Sequence, residues 1–445
     1  MTTFAPIFVP EELRRATSDS AWLEAMLETE RALALVESRL GIVPSDAAGS
    51  IGGSCRPELF DLDELLAEGR SPGNPVEPLV RALRERVGGP AADYVHWGAT
   101  SQDILDTAAM LVSRRAAKLV LAELDGVAAA AAALAERHAR TPMVARTLLQ
   151  QASPTTFGLK AAGWLSGVLA AEATLVRVRD ERLAVQLGGA VGTLAAFGDR
   201  GSELVAELAE ELELAQPVLP WHTERTRIAE LASALELVCG AVSKIATDVI
   251  LLAQTEVGEV REAGGGVSST LPQKRNPIRS TLVLACARGT GAAATLLRGG
   301  DHEHERAAGA WHAEWSALSD ALALTGGAAA AACETLQGLE VDEHRMRENL
   351  VASRGLVLAE RVSFLLTPSL GRAVAQEVVA DAADRARANG SSLREELAAD
   401  ARVTLAASEL DAAFDPSGYV GSAEDLVDAV LALYRSTVDE RGGVR

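Results

Sequence analysis

The chain predicts an all-α fold built on a central bundle of long helices, and three observations carry that expectation. Ala, Leu, Glu and Arg are abundant while aromatic residues make up only 4%, and Ala and straight-chain residues lose little freedom in a helix. β-Branched residues alternating at period two, the mark of a half-buried strand, are almost absent. Apolar patterning also runs uninterrupted through long windows between clear breakers. With 445 residues, 48% of them hydrophobic, there is material for two or three domains around a large core and no compositional sign of disorder.

Taken in order, residues 1–110 read as a small N-terminal helical domain, interrupted at Gly88-Gly89-Pro90. Residues 111–350 form the bundle. Its helices are expected over Ala108–Arg140, Thr155–Glu181, Thr226–Glu262, Pro277–Leu297 and Glu305–Gly338, separated by Arg140-Thr141-Pro142 and by Gln216-Pro217-Val218-Leu219-Pro220. Residues 351–445 read as a small C-terminal helical domain with a break at Thr367-Pro368 and a frayed tail from Asp439 to Arg445. The longest helix would reach about 50 Å at the α-helical rise. Such lengths exceed the needs of a compact monomer, and Ala and Leu on more than one face suit burial against other subunits.

Charge and cysteine usage narrow the class. Lys and Arg number 42 against 62 Asp and Glu, a net charge of -20, which repels nucleic acid and anionic membrane and favours solubility. A small anionic substrate must therefore be gathered by local groups. Cys55, Cys239, Cys286 and Cys333 are widely spaced, without a CxxC pair, and most lie among apolar neighbours. They read as reduced thiols in a cytoplasmic protein. Met1–Arg15 carries no apolar signal core, and the uncharged run Ala321–Cys333 is too short to span a bilayer.

Three blocks carry chemistry. The first is Gly264-Gly265-Gly266-Val267-Ser268-Ser269-Thr270-Leu271-Pro272-Gln273-Lys274-Arg275-Asn276-Pro277. Each Gly costs about 1 kcal/mol inside a helix, so three in succession mark a loop that opens and closes over a ligand. Two hydroxyls, two cations and an Asn suit carboxylates. The second, Val95-His96-Trp97-Gly98-Ala99-Thr100-Ser101-Gln102-Asp103-Ile104-Leu105-Asp106-Thr107, places hydroxyls ahead of an amphipathic helix. Thr100 and Asp103 have capping-box spacing, and the same geometry makes an anion site from free N–H groups, the helix dipole, Thr100 and Ser101. Spacing alone leaves both readings open, and His96 is either a site imidazole or a structural one. The third is Ala145-Arg146-Thr147-Leu148-Leu149-Gln150-Gln151-Ala152-Ser153-Pro154-Thr155-Thr156-Phe157-Gly158-Leu159-Lys160.

These blocks resemble the three signature regions of the fumarase/aspartase superfamily, with Leu271 in place of the usual Met and Val267 set between the Gly run and the serines. The resemblance implies an all-α fold of three helical domains and a homotetramer whose signature regions come from three different subunits. Ser268 occupies the superfamily's proton-transfer position, with Lys274 able to stabilise its alkoxide and His96 as a further catalytic candidate. Thr100, Ser101, Arg146, Gln150, Ser269 and Asn276 fall at substrate-binding positions. Arg275 and Arg306 are candidates for remaining carboxyls, although each could equally be a surface ion pair.

One departure divides the superfamily. Adenylosuccinate and argininosuccinate lyases place a His after the Thr of the second region, where this chain has Leu148. An apolar residue is no general acid, so the leaving group must depart without a proton, as a carboxylate of pKa about 4 does. Nitrite meets the same condition. The blocks Pro220-Trp221-His222-Thr223-Glu224-Arg225 and Glu303-His304-Glu305-Arg306, followed by Trp311 and Ala313-Glu314-Trp315, extend the likeness to the cycloisomerases that act on 3-carboxy-cis,cis-muconate, although those often carry a His at Gln151. Ala307, Gly309, Trp311 and Trp315 stand where adenylosuccinate lyases grip phosphate.

The resemblance thus implies a cycloisomerase acting on a small di- or tricarboxylate. The alternatives are a C–N lyase of the same superfamily, nitrite-releasing or adenylosuccinate lyase-like, and a non-catalytic scaffold. The cluster Asp301-His302-Glu303-His304-Glu305 reads as a solvated helix start rather than a metal site, because residues two apart do not share a helix face. No cofactor motif is present: the Gly run lacks both the preceding strand and the spacing of a nucleotide loop.

Overall fold

The five helices expected of the bundle run over Ser101–Arg137, Phe157–Glu181, Thr226–Leu252, Ile278–Leu297 and Ala310–Gln337, and Asp19–Arg39 and Ala423–Gly442 are no shorter than the shortest of them. The computed structural model describes residues 4–264, 266–267, 270–271, 273–300 and 302–442. At 37 residues the Ser101–Arg137 helix is the longest of the five, about 55 Å from end to end. Ahead of it lie shorter helices, among them Asp19–Arg39, whose Ser18 side chain caps the Ala21 amide, and Val76–Val87, which stops at Gly88 with φ +61°.

Four boundaries depart from the expectations. The first bundle helix begins at Ser101 rather than Ala108, its start being the capped Thr100-to-Asp103 turn. The helix from Thr226 ends at Leu252 instead of continuing to Glu262, because Gly258 takes φ +63° and Val260–Glu262 turns into a strand paired with Leu339–Val341. The last bundle helix begins at Ala310 rather than Glu305, since His304 and Gly309 have φ of +45° and +124°. Thr367-Pro368 does not break the chain. Pro368 sits within the final turn of the Ala359–Leu370 helix, and Gly371 at φ +77° ends it.

Short antiparallel hairpins, which the composition hides, supplement the helices. Pro142–Thr147 pairs with Gln150–Thr156, and Gly266–Val267 pairs with Arg275–Asn276. The first closes through Leu148 and Leu149, both left-handed at φ +51° and +64°.

The chain divides into two compact units. One comprises Met1–Asp125, Ala170–Ser243 and Leu282–Ala331; the other comprises Gly126–Leu169, Lys244–Thr281 and Ala332–Arg445. Each of the five bundle helices contributes residues to both. Within the second unit, the C-terminal helices close their own small core around Val362, Leu366, Val378, Leu393, Leu397 and Leu410. Three helices, Phe157–Glu181, Ile278–Leu297 and Ala310–Gln337, are long and apolar enough by length and composition to cross a membrane. In Ala310–Gln337 most of that apolar stretch is buried within the protein, whereas in Ile278–Leu297 only a third is.

Candidate active site

In the first unit the site is built on the N-terminus of the Ser101–Arg137 helix. The Thr100 amide donates to the Asp103 carboxylate at 3.0 Å and the Asp103 amide to the Thr100 carbonyl at 2.9 Å, so the acid half of the predicted cap is present. The Thr100 hydroxyl makes no hydrogen bond among the described residues. Asp103 is fully buried and also accepts from the Gly188 and Gly189 amides, each at 2.9 Å, while its Oδ1 lies 2.7 Å from His222 Nε2. One carboxylate thus ties together the helix start, a glycine turn and the His222 segment. Gly188 has no room for a side chain, since a Cβ would approach His222 within 2.7 Å.

A turn deeper, Asp106 receives both terminal nitrogens of Arg225, at 2.7 and 3.0 Å, and the Trp311 indole N–H at 3.0 Å. Arg225 also binds Glu314. Arg306 donates to the Gln102 side chain at 2.9 Å and to the Ala190 carbonyl at 2.8 Å. The segment beginning at His302 is therefore fastened to the helix start that bears Thr100 and Ser101, and Arg306 is an anchor there with both terminal nitrogens engaged.

His96 precedes this helix in a left-handed conformation, φ +61°, which is costly for a residue with a Cβ. Its Nδ1 lies 2.6 Å from Glu30 Oε1. Burial favours the neutral ring, but the Glu30 charge and hydrogen bond, helped by Asp103 and opposed by Arg84, outweigh it, so His96 holds its proton above the ordinary histidine range.

The second unit carries the other predicted residues. Arg146, on the Pro142–Thr147 strand, makes two 2.8 Å hydrogen bonds to the fully buried Glu259, which also accepts from Asn349 at 2.7 Å. This is an internal bidentate ion pair. Gln150 begins the return strand and, with Gln151, Ser153, Arg354 and Arg387, lines a cavity of about 770 Å³. Lys160 lies 3.8 Å from Asp248, and its pKa is lowered, chiefly by burial.

The Gly-rich block closes as a hairpin at Gly266–Val267 and Arg275–Asn276. Gly266 is required there, because a Cβ would come within 2.5 Å of Ile278. Ser268 and Ser269 lie outside the described residues. Lys274 and Arg275 are exposed and Asn276 is half-buried; Arg275 and Asn276 line a cavity of about 550 Å³ together with Arg261 and Glu262.

Sequence reasoning passed over Glu30, Asp103 as an anchor, and Glu259. The capping spacing of Asp103 gives no sign of its bonds to Gly188, Gly189 and His222. Glu30 and Glu259 are acids in chains of acids, with no local mark.

Long helices, a capped helix start and short polar hairpins make the frame in which these residues sit. The lyase family pattern matches residues 70–290 and the adenylosuccinate lyase C-terminus pattern residues 355–430, and the chain belongs to the fumarase/aspartase superfamily. It is 44% identical to a 3-carboxy-cis,cis-muconate cycloisomerase of Bradyrhizobium diazoefficiens, over 96% of this chain and 97% of that one. It is 46% identical to a nitrosuccinate lyase of Streptomyces davaonensis, over 96% and 94%. Among solved structures, the 3-carboxy-cis,cis-muconate lactonizing enzyme of Pseudomonas putida superposes with a TM-score of 0.92 at 40% identity, covering 98% of this chain and 99% of that one.

Proposed function

We propose that the protein is a cycloisomerase that adds a carboxylate of 3-carboxy-cis,cis-muconate across one of the substrate's double bonds to give a carboxymuconolactone. The observation that carries this reading is the end-to-end match in sequence and fold to enzymes of that name. Leu148 supports it. Lactonisation forms a C–O bond from an oxygen that is already anionic and needs one proton, delivered to the neighbouring carbon, so no second acid is required where amine-releasing relatives keep a His.

Proton transfer alpha to a carboxylate passes through a dianionic aci-carboxylate, which demands a proton carrier on one side and dense positive or N–H character around the oxygens. In this reading Ser268 carries the proton, and Lys274 stabilises its alkoxide. Thr100, Ser101 and the helix N-terminus, with Gln150, Ser269, Arg275 and Asn276, hold the carboxyls. His96, protonated, donates to one of them. Arg146 and Arg306 act through Glu259 and Gln102 as supports. Four cysteines outside any disulfide suit a cytoplasmic location, and three helical domains with boundaries near 110 and 350 assembling as a homotetramer complete the proposal.

A second reading, a lyase releasing nitrite from nitrosuccinate, is favoured by the relative that bears that name, and it too needs no acid at Leu148. Incubation with 3-carboxy-cis,cis-muconate decides between them. Loss of the diene absorbance is expected; no loss, with nitrite released from nitrosuccinate, would establish the second reading.

A further inference from the structure

Three imidazoles in the first unit face carboxylates, and their surroundings differ: His302 Nε2 lies 3.1 Å from Glu314 Oε1, a carboxylate that Arg225 already holds. His222 and Asp103 are both sealed inside, and Asp103 spends its oxygens on three backbone amides as well as on the ring. That pair is scaffolding. Glu30 also lies inside, 1% exposed, but its strong contact is His96 Nδ1 at 2.6 Å, and its other oxygen has no hydrogen-bond partner among the described residues. His96 keeps part of its ring open, and Nε2 makes no hydrogen bond among the described residues.

We infer that Glu30 is the positioning residue for His96: it accepts the Nδ1 proton, fixes the ring against its left-handed backbone, and turns a charged Nε2–H toward the substrate carboxylate. This rests on the reading of His96 as a substrate contact. A buried carboxylate bonded to one ring nitrogen sets which nitrogen is left to act, and it stabilises the cationic ring.

The remaining groups around the pair agree. Glu37 lies two turns along the Asp19–Arg39 helix from Glu30. Burial first, and then the Glu30 charge, push its pKa up to about 9, so it stays neutral. The Cys55 thiol is pushed up to about 12 by burial and by Glu30, against the pull of Arg31. Of the acids on its own helix, Glu30 is the one that acts on His96. From the other elements, Asp103 reinforces the cation and Arg84 opposes it.

The test compares Glu30→Gln, Glu30→Asp and His96→Asn. The expected results for Glu30→Gln are a kcat/KM roughly 10²-fold lower near neutral pH and an alkaline limb of the kcat/KM profile moved to lower pH, because a cation held by Glu30 deprotonates earlier without it. Carbethoxylation of His96, read by mass spectrometry of its peptide, follows the neutral ring; its midpoint should fall in step. Glu30→Asp should recover part of both, which a merely structural role would not produce. A wild-type limb and midpoint in Glu30→Gln, with His96→Asn inactive, would overturn the inference alone. Near wild-type turnover in His96→Asn would overturn it together with the role given to His96.

Discussion

Ser268 and Glu37 show how differently two side chains of this protein can be tested. Ser268, placed by resemblance at the proton-transfer position, is expected to matter for turnover and not for folding. Ser268→Ala should keep the helical circular dichroism and lose roughly 10²-fold or more in kcat; near wild-type turnover would remove it from the mechanism. Glu37 is the converse. Both its carboxyl oxygens are buried without a hydrogen-bond partner among the described residues, and its pKa is raised to about 9. Below pH about 4.5 the folded and unfolded chains both hold this proton. Between there and about 9 only the folded chain keeps it, so unfolding releases a proton and stability falls as pH rises. Glu37→Gln removes the titration. Its Tm should exceed that of the wild type at pH 8 by more than at pH 5, and equal differences at the two values would show that Glu37 is ionised in the fold.

At the scale of elements, the hairpin tip at Leu148-Leu149 poses a problem that the isolated chain does not solve. Two-residue turns with both φ positive favour Asn-Gly or Asp-Gly, yet here two leucines occupy them, 95% and 73% exposed. Left-handed backbone costs roughly 1–2 kcal/mol per residue, and burying a Leu returns about 1.5–3 kcal/mol, so the tip is worth its strain only if another subunit covers it. Leu148→Asn should therefore leave secondary structure intact while the oligomer dissociates at higher protein concentration than the wild type. Unchanged dissociation by light scattering would mean that the tip stays in solvent. This hairpin also marks where sequence reading stopped. Periodicity exposed the long helices, and the Thr100-to-Asp103 spacing exposed the helix start, because both are local. A turn built from leucines contradicts its own propensity, and the helix end at Leu252 depends on Gly258 and on a strand partner far along the chain. Glu30 meets His96 across 66 residues of sequence, a contact that no local pattern announces.

For the whole molecule, the groups proposed to act together fall in different compact units: His96, Thr100 and Ser101 in one, Gln150, Lys274 and Asn276 in the other. A chain of net charge -20 would gather the proposed tricarboxylate only where its cations are concentrated, and drawing them from several subunits would do that. If each site of a homotetramer takes His96 from one subunit and Lys274 from another, two inactive variants can repair each other. In random tetramers from equal amounts of His96→Asn and Lys274→Ala, the subunit supplying position 96 is intact half the time. The one supplying position 274 is independently intact half the time, so roughly a quarter of the sites regain both groups. Each variant alone regains none. Denaturing the two together and refolding them should thus restore about a quarter of wild-type activity in tetramers sized by light scattering. A mixture that forms tetramers yet stays inactive would place both residues in sites completed within one chain, and would end the shared-site account.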